Sequence, residues 1–268
     1  MTVVGNSHSQ KETVRTRERI LRVVLPMVVF GILPISTIVA ADPPKVVLSR
    51  LADKIYIAED YYLAKENSVV YIGDSFVTVV GATWTPLTAR LLSEEVAKIT
   101  TKPIKEVIDT NHDLDRVGGN SYFRSIGCQI ISTRLTRDLL MKEGKRSVEV
   151  AQYGSDYPNI EIVLPDTVYE GDFTLQGGSI RGFYLGPSHK QDDIFVYFPN
   201  EKVLYGGCVL KEQLGNTDGA DLVEYPRTLQ KLKSMKLPIV TVISGHFSPV
   251  HGPELIDRFL NLLPKTVP

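Results

Sequence analysis

Apolar residues in the first half of the chain fall into short bursts: KIYIAED at 54 to 60, SVVYIGD at 68 to 74 and FVTVVGA at 76 to 82. Branched and aromatic side chains bounded by Asn, Gly and Asp predict a meander of strands. At Pro86 the spacing changes. Leu87, Leu91, Leu92, Val96 and Ile99 recur at helical intervals, and a proline at the first position suits a helix start, so TPLTARLLSEEVAKIT reads as a helix. IKEVIDT at 104 to 110 returns to strand character and runs into the polar stretch TNHDLDRVGGNSYF at 110 to 123, which is thereby placed on a loop at a strand end. Next come a short helix in GGNSYFRSIG, a strand in CQIISTR and a helical or partly irregular segment in TRDLLMKEGKRSVEV. Tyr153 to Pro165 is rich in turn formers and reads as a flexible connector. Strands resume at 179 to 186, 193 to 199 and 202 to 207. A helix over 222 to 235, a strand at 239 to 245 and a helix over 252 to 263 complete the pattern. Strands followed by helices in both halves point to an α/β fold of two stacked sheets covered by helices.

Charge and composition narrow the function without naming it. The 268 residues carry a formal net charge of −1, and Lys and Arg are scattered rather than gathered into a basic stripe, so nucleic acid is not an expected partner. The N-terminus departs from this average: basic RTRERILR precedes the uncharged VVLPMVVFGILPISTIVAA. Its two prolines disfavour a single spanning helix, and Val39 and Ala41 supply small residues for a cleavage site. Residues 1–41 therefore read as an export signal and 42–268 as the mature domain, with an uncleaved anchor as the alternative. The expected location is the periplasm, without stable membrane association after signal removal. With only two cysteines, a dense disulfide scaffold is excluded. Cys128 reads as a small core residue, and a Cys128–Cys208 disulfide stays open as an alternative to a free Cys208 thiolate.

Four polar loops terminate or interrupt the apolar segments: TNHDLDR at 110 to 116, GPSHKQD at 186 to 192, YGGCVLK at 205 to 211 and SGHFSPVHG at 244 to 252. They hold His112, His189, His246 and His251 together with Cys208. Asp, Cys and His can offer one oxygen, one sulfur and one nitrogen to a borderline-soft ion such as zinc, with a position left for water or substrate. His251 reads as structural.

At this point the chain resembles a known family. TVVGATWTP (78 to 86), DRVGGNSYF (115 to 123), VLPDTVYEGDF (163 to 173), IFVYFP (194 to 199), VLYGGCVLKEQLGN (203 to 216) and HGPELID (251 to 257) are similar to class B metallo-beta-lactamases of the mono-zinc, carbapenem-preferring subclass. The resemblance runs from about Lys54 to Leu263. It implies a four-layer alpha-beta/beta-alpha sandwich with the active site at one edge between the sheets, and a monomer acting on beta-lactams. It assigns one zinc ion to Asp115, Cys208 and His246, and a remnant second metal site to Asn111 and His189. Lys211 matches the residue that binds the substrate carboxylate, Asn216 a nearby polar contact, and Trp84 an aromatic pocket wall, beside its plain reading as core packing.

The departures from the family pattern are Asp113 in place of the usual middle histidine, with His112 shifted to the preceding position, Gly207 for asparagine, Gly219 for an aromatic residue, and Lys190 and Phe247 beside two site histidines. In the catalytic expectation Asp115 or Asp113, aided by His189, positions an attacking water or accepts its proton. Another zinc hydrolase, or an exported zinc-binding protein with weak or no hydrolysis, remains as an alternative.

Overall fold

The structure is a computed structural model that describes residues 43–264. The expected signal, its cleavage site and the alternative anchor lie outside the described residues. Among those residues no helix is long and apolar enough to cross a membrane.

Strands β1 (Val46–Arg50), β2 (Ile55–Asp60), β3 (Glu66–Ile72) and β4 (Val77–Val80) form the expected meander, extended by one strand at its outer edge. Helix α1 (Pro86–Ile99) starts at the predicted proline, where Thr85 and Thr88 close a reciprocal capping box. After β5 (Ile104–Ile108) the loop expected at 110 to 116 contains one helical turn, α2 (Leu114–Val117), followed by α3 (Asn120–Ser125), β6 (Gln129–Thr133) and the long α4 (Arg134–Gly154). The second half contributes β7 (Thr167–Tyr169), β8 (Phe173–Leu175), β9 (Ile180–Tyr184), β10 (Ile194–Phe198) and β11 (Val203–Gly207). It ends with α5 (Glu224–Ser234), β12 (Thr241–Ser244), β13 (Val250–His251) and α6 (Glu254–Leu262).

The strands make one seven-stranded sheet in the order β1 to β7 and one six-stranded sheet in the order β13-β12-β11-β10-β9-β8. Alternation along each strand sorts the side chains into layers. Ile55, Ile57, Val69, Tyr71, Val80 and Ile108 meet Ile180, Ile194, Val196, Phe198 and Ile243 between the sheets. Val70, Val79 and Val107 turn the other way, toward Leu92 and Val96 of α1 and Phe123 of α3. Phe195, Leu204 and Val242 pack under Leu229 of α5 and Phe259 of α6. The result is the expected α/β four-layer sandwich.

The segment read as a flexible connector is irregular but packed, which corrects that expectation. Tyr157 and Val163 are buried, and the Tyr157 hydroxyl donates to the Trp84 carbonyl at 2.6 Å. Turn-forming residues predict the lack of regular structure; Tyr157, with Ile160 and Ile162, seats the segment against Leu114 of α2 and Val148 of α4. The glycine pair that follows α2 is set by close approach. A Cβ on Gly118 would lie 1.9 Å from the Trp84 carbonyl oxygen, and one on Gly119 would lie 2.1 Å from that of Ala82.

One charged side chain ties the two sheets together. Arg116 is fully buried, and its Nη1 donates to Glu66 Oε2 at 2.9 Å and to the Tyr205 hydroxyl at 2.5 Å, joining β3 to β11. Removing one partner of a buried ion pair leaves the other charge unsolvated. Arg116→Ala should therefore lower the unfolding free energy of the metal-free protein by about 3–5 kcal/mol in urea denaturation; a loss below about 1 kcal/mol would show the tie to be dispensable.

A second buried acid fastens the 110 to 116 segment to the β9–β10 loop. Asp193 accepts from Asn111 Nδ2 at 2.8 Å, from the Ser188 hydroxyl at 2.9 Å and from the Lys190 backbone N–H at 2.5 Å. Burial, and then the neighbouring Asp192 charge, push its carboxyl up to about 7, against those hydrogen bonds. An unfolded aspartate titrates near 3.9, so between about pH 4 and 7 the folded chain holds a proton that the unfolded chain lacks. Stability should fall as pH rises through that window, on the order of 2–4 kcal/mol from this group. Urea midpoints at pH 5 and pH 8 should differ less in Asp193→Asn than in the parent chain; equal differences would contradict the assignment.

Candidate metal centre and cleft

Three strand ends bring the chemistry to one edge of the sandwich. Asp115 lies in the first turn of α2, just beyond β5; Cys208 follows β11 directly, and His246 lies two residues past β12. Gly207 turns the chain into Cys208 with a φ of +51°, and Gly245 has no room for a Cβ, which would lie 2.4 Å from the Gly207 carbonyl. The main chains interlock there: Gly245 N–H donates to the Gly207 carbonyl, and Asn67 N–H to the Gly245 carbonyl, both at 2.8 Å.

Asp115, Cys208 and His246 each direct one donor atom into a common space, all within 4.8 Å of one another. Asp115 Oδ2 lies 3.1 Å from His246 Nε2 and 3.6 Å from Cys208 Sγ, and Cys208 Sγ lies 3.8 Å from His246 Nε2. Donors at ordinary zinc bond lengths in a tetrahedron stand about 3.3–3.7 Å apart, so the set is close to the required size. The histidine tautomer supports the same reading. His246 Nδ1 lies 2.9 Å from the Lys65 carbonyl, an acceptor only, so Nδ1 carries the proton and Nε2 turns a lone pair toward the Asp115 carboxylate. Lone pair facing carboxylate is repulsive unless a cation or proton lies between them. The donor set therefore fits a zinc ion.

Arg116 lies beneath all three. Its Nη2 donates to Asp115 Oδ2 at 2.9 Å and to the Gly245 carbonyl at 3.0 Å, and Nε donates to Cys208 Sγ at 3.2 Å. Burial alone would raise the Asp115 carboxyl, but the Arg116 guanidinium beside it holds it well below the usual carboxylate range. Glu66, on the far side of the same guanidinium, is raised well above that range by burial. Burial also pushes the Cys208 thiol up, so a bound cation is what would make it a thiolate.

The remaining predicted residues divide. Asp113, His189, Lys211, Asn216 and Trp84 line one cleft of about 840 Å³ together with Asp115, Cys208 and His246. Trp84 has both roles foreseen for it: it lines the cleft and packs against the buried Leu114, Val148 and Tyr157 cluster. Asn111 turns away, its amide spent on Asp193 and on the Asp113 N–H at 2.9 Å. His112 also points elsewhere, with Nδ1 2.8 Å from Asp192 Oδ1. His251 is structural as expected, with Nε2 2.7 Å from the Ser248 carbonyl. Cys128 and Cys208 are both free thiols, and Cys128 sits in the core beneath α1 and α3.

Within the cleft, burial and then Lys211 and Lys190 push His189 down to about 3, so its ring is neutral. Its Nδ1 lies 3.5 Å from Lys211 Nζ. Arg116, Glu66 and the α4 wall of Glu143, Arg146 and Val150 were not singled out from sequence. Neither Arg116 nor the α4 wall carries a sequence signal: a buried arginine reads like a solvated one, and an exposed helical face reads as solvated surface.

A profile of the Metallo-beta-lactamase superfamily matches residues 62–246. A metallo-beta-lactamase type 2 from Elizabethkingia meningoseptica is 26% identical over 216 residues, covering 76% of this chain and 80% of the relative. One of the same description from Bacteroides fragilis is 25% identical over 221 residues, covering 79% and 82%. The solved metallo-beta-lactamase from Pontibacter korlensis superposes with a TM-score of 0.72 at 22% identity, covering 82% of this chain and 99% of that one. With a profile match that spans all three donors and most of both sheets, the chain belongs to the metallo-beta-lactamase superfamily.

Proposed function

We propose that the protein is a zinc-dependent hydrolase that opens the amide bond of beta-lactams, with carbapenems preferred, and that it uses one zinc ion held by Asp115, Cys208 and His246. The observation that carries this reading is the placement of Lys211 in the same cleft as the donor triad, so that an anionic substrate is drawn to the edge of the metal centre. The curated relatives are named as metallo-beta-lactamases, which supports the same substrate class. The basic-then-apolar N-terminus supports export to the periplasm, where such substrates are met.

A zinc ion at this centre supplies Lewis-acid charge to the scissile amide and to an attacking water. The chain does the rest. Lys211, 4% exposed, offers its ammonium to the substrate carboxylate, and burial lowers its pKa because so few waters reach it. Asn216 lines the same cleft, and Trp84 and Phe247 supply apolar surface for the body of the substrate. Asp113 is the cleft carboxylate not assigned to the metal; its Oδ2, the oxygen away from Lys190, orients the water and receives its proton, while neutral His189 borders the same space. Asp115 is committed to the metal and to Arg116.

A second reading, a zinc-binding protein with little turnover, is favoured by one feature: Asp113 is engaged by Lys190 Nζ at 3.1 Å. Zinc titration of the metal-free protein, with hydrolysis of a carbapenem, a penicillin and a cephalosporin followed in parallel, separates the two. Activity should saturate at one equivalent, be greatest on the carbapenem, and fall by more than about 100-fold in Cys208→Ala, because loss of a ligand exceeds loss of an outer partner. Lys211→Ala should raise KM about 10–100-fold with a smaller change in kcat, the worth of one charge-assisted hydrogen bond. One bound zinc with no turnover of any of the three would establish the binding protein instead.

A further inference from the structure

The second polar group of the cleft, Asp113 with His189, contains a cation of its own. Lys190 Nζ lies 3.1 Å from Asp113 Oδ1, and both side chains are mostly shielded, at 20% and 27% exposure. The ammonium also donates to the Asp218 carbonyl at 3.3 Å. The lysine takes this path because Gly219 leaves it room: a Cβ there would stand 3.3 Å from Nζ and 3.8 Å from Cδ, and the backbone φ of +81° disfavours any side chain. Two departures that look independent in sequence, Lys190 and Gly219, are thus one packing arrangement.

We propose that the Lys190 ammonium is a tethered cation that takes up the Asp113 carboxylate in place of a second metal ion and so restricts the chain to one zinc. This rests on the preceding reading of Asp115, Cys208 and His246 as the zinc centre. The surrounding groups agree. Asn111, the other oxygen donor of this group, has its amide turned to Asp193 and to the Asp113 backbone. His189 Nε2 faces Asp113 Oδ2 at 3.8 Å, but its Nδ1 faces Lys211 Nζ at 3.5 Å. A dication brought to Asp113 would meet the ammonium of Lys190, with that of Lys211 just behind His189, and like charges in a shielded site are mutually excluded. Lys190 is therefore a positioning residue: it neutralises Asp113 and fixes which carboxylate oxygen faces the cleft.

The test is zinc stoichiometry, read by native mass spectrometry and by competition with a chromogenic chelator, on the full metal-free protein, Lys190→Ala, Lys190→Arg and Lys190→Ala/Asp113→Asn. The parent chain and Lys190→Arg should hold one zinc in excess metal. Lys190→Ala should take a second, with an affinity at least about tenfold above any second uptake by the parent, equivalent to 1.4 kcal/mol. The double variant should return to one, locating the second ion at Asp113. A single zinc in Lys190→Ala, two in the parent, or two in the double variant would each overturn the inference while leaving the first centre standing. A parent chain that binds no zinc would overturn the proposed centre and this inference with it.

Discussion

Everything at the metal edge is referred to one guanidinium. Arg116 has five N–H donors in a rigid plane, and it spends them on Glu66, Tyr205, Asp115, Cys208 and the Gly245 carbonyl. These partners come from β3, β11, α2, the turn after β11 and the turn after β12. A lysine could not span them, because an ammonium is a point donor and lacks the fork. Burying such a charge is costly, and the arrangement is tolerable only because every donor has a partner and Asp115 stays ionised beside it. The same contact that stabilises Asp115 also fixes which of its oxygens faces Cys208 and His246, so the tie between the sheets and the geometry of the donor triad are one constraint.

The rest of the edge is built from close main-chain approach. Gly245 against Gly207, Gly118 against Trp84 and Gly119 against Ala82 are places where a side chain would separate two loops. They allow loops from distant parts of the sequence to approach closely enough for the single Arg116 side chain to reach them all. His246 is then held from behind through Nδ1 by the Lys65 carbonyl, which leaves Nε2 to face Asp115, Cys208 and the edge of the Arg116 guanidinium.

What could be read from the sequence follows from where apolar signal is strong. The interior strands β2 to β6 and β9 to β12 were all foreseen, since each is apolar on one or both faces. The strands not foreseen, β1, β7, β8 and β13, are the four sheet edges. An edge strand has a neighbour on one side only; β1 reads Val-Val-Leu-Ser-Arg and β7 is half-buried throughout, so neither shows a clean period. In the site, the loops that collect Asp115, Cys208 and His246 were recognisable by their chemistry, and the resemblance chose among their side chains. Arg116 was missed because a buried arginine looks, in a string of letters, like a solvated one; only the partners reveal it.

The two acids flanking Leu114 show how environment separates residues that look equivalent in sequence. Asp115 faces Arg116 and is held ionised, whereas burial, and then the Asp115 charge itself, raise Asp113, with Lys190 opposing. The start of the helical turn produces this division: Asp113 is the extended residue that precedes α2, and Asp115 lies within it. His112, just before them, serves neither: its ring goes to Asp192 and stands 3.8 Å from Glu143 on α4, so it docks the loop between the β9–β10 connection and the helix that walls the cleft. His112 thus makes a structural contact away from the donor triad, and Asp113, one place on, has a lysine partner. The polarity of that side of the cleft is consequently set by an internal ion pair rather than by an isolated carboxylate.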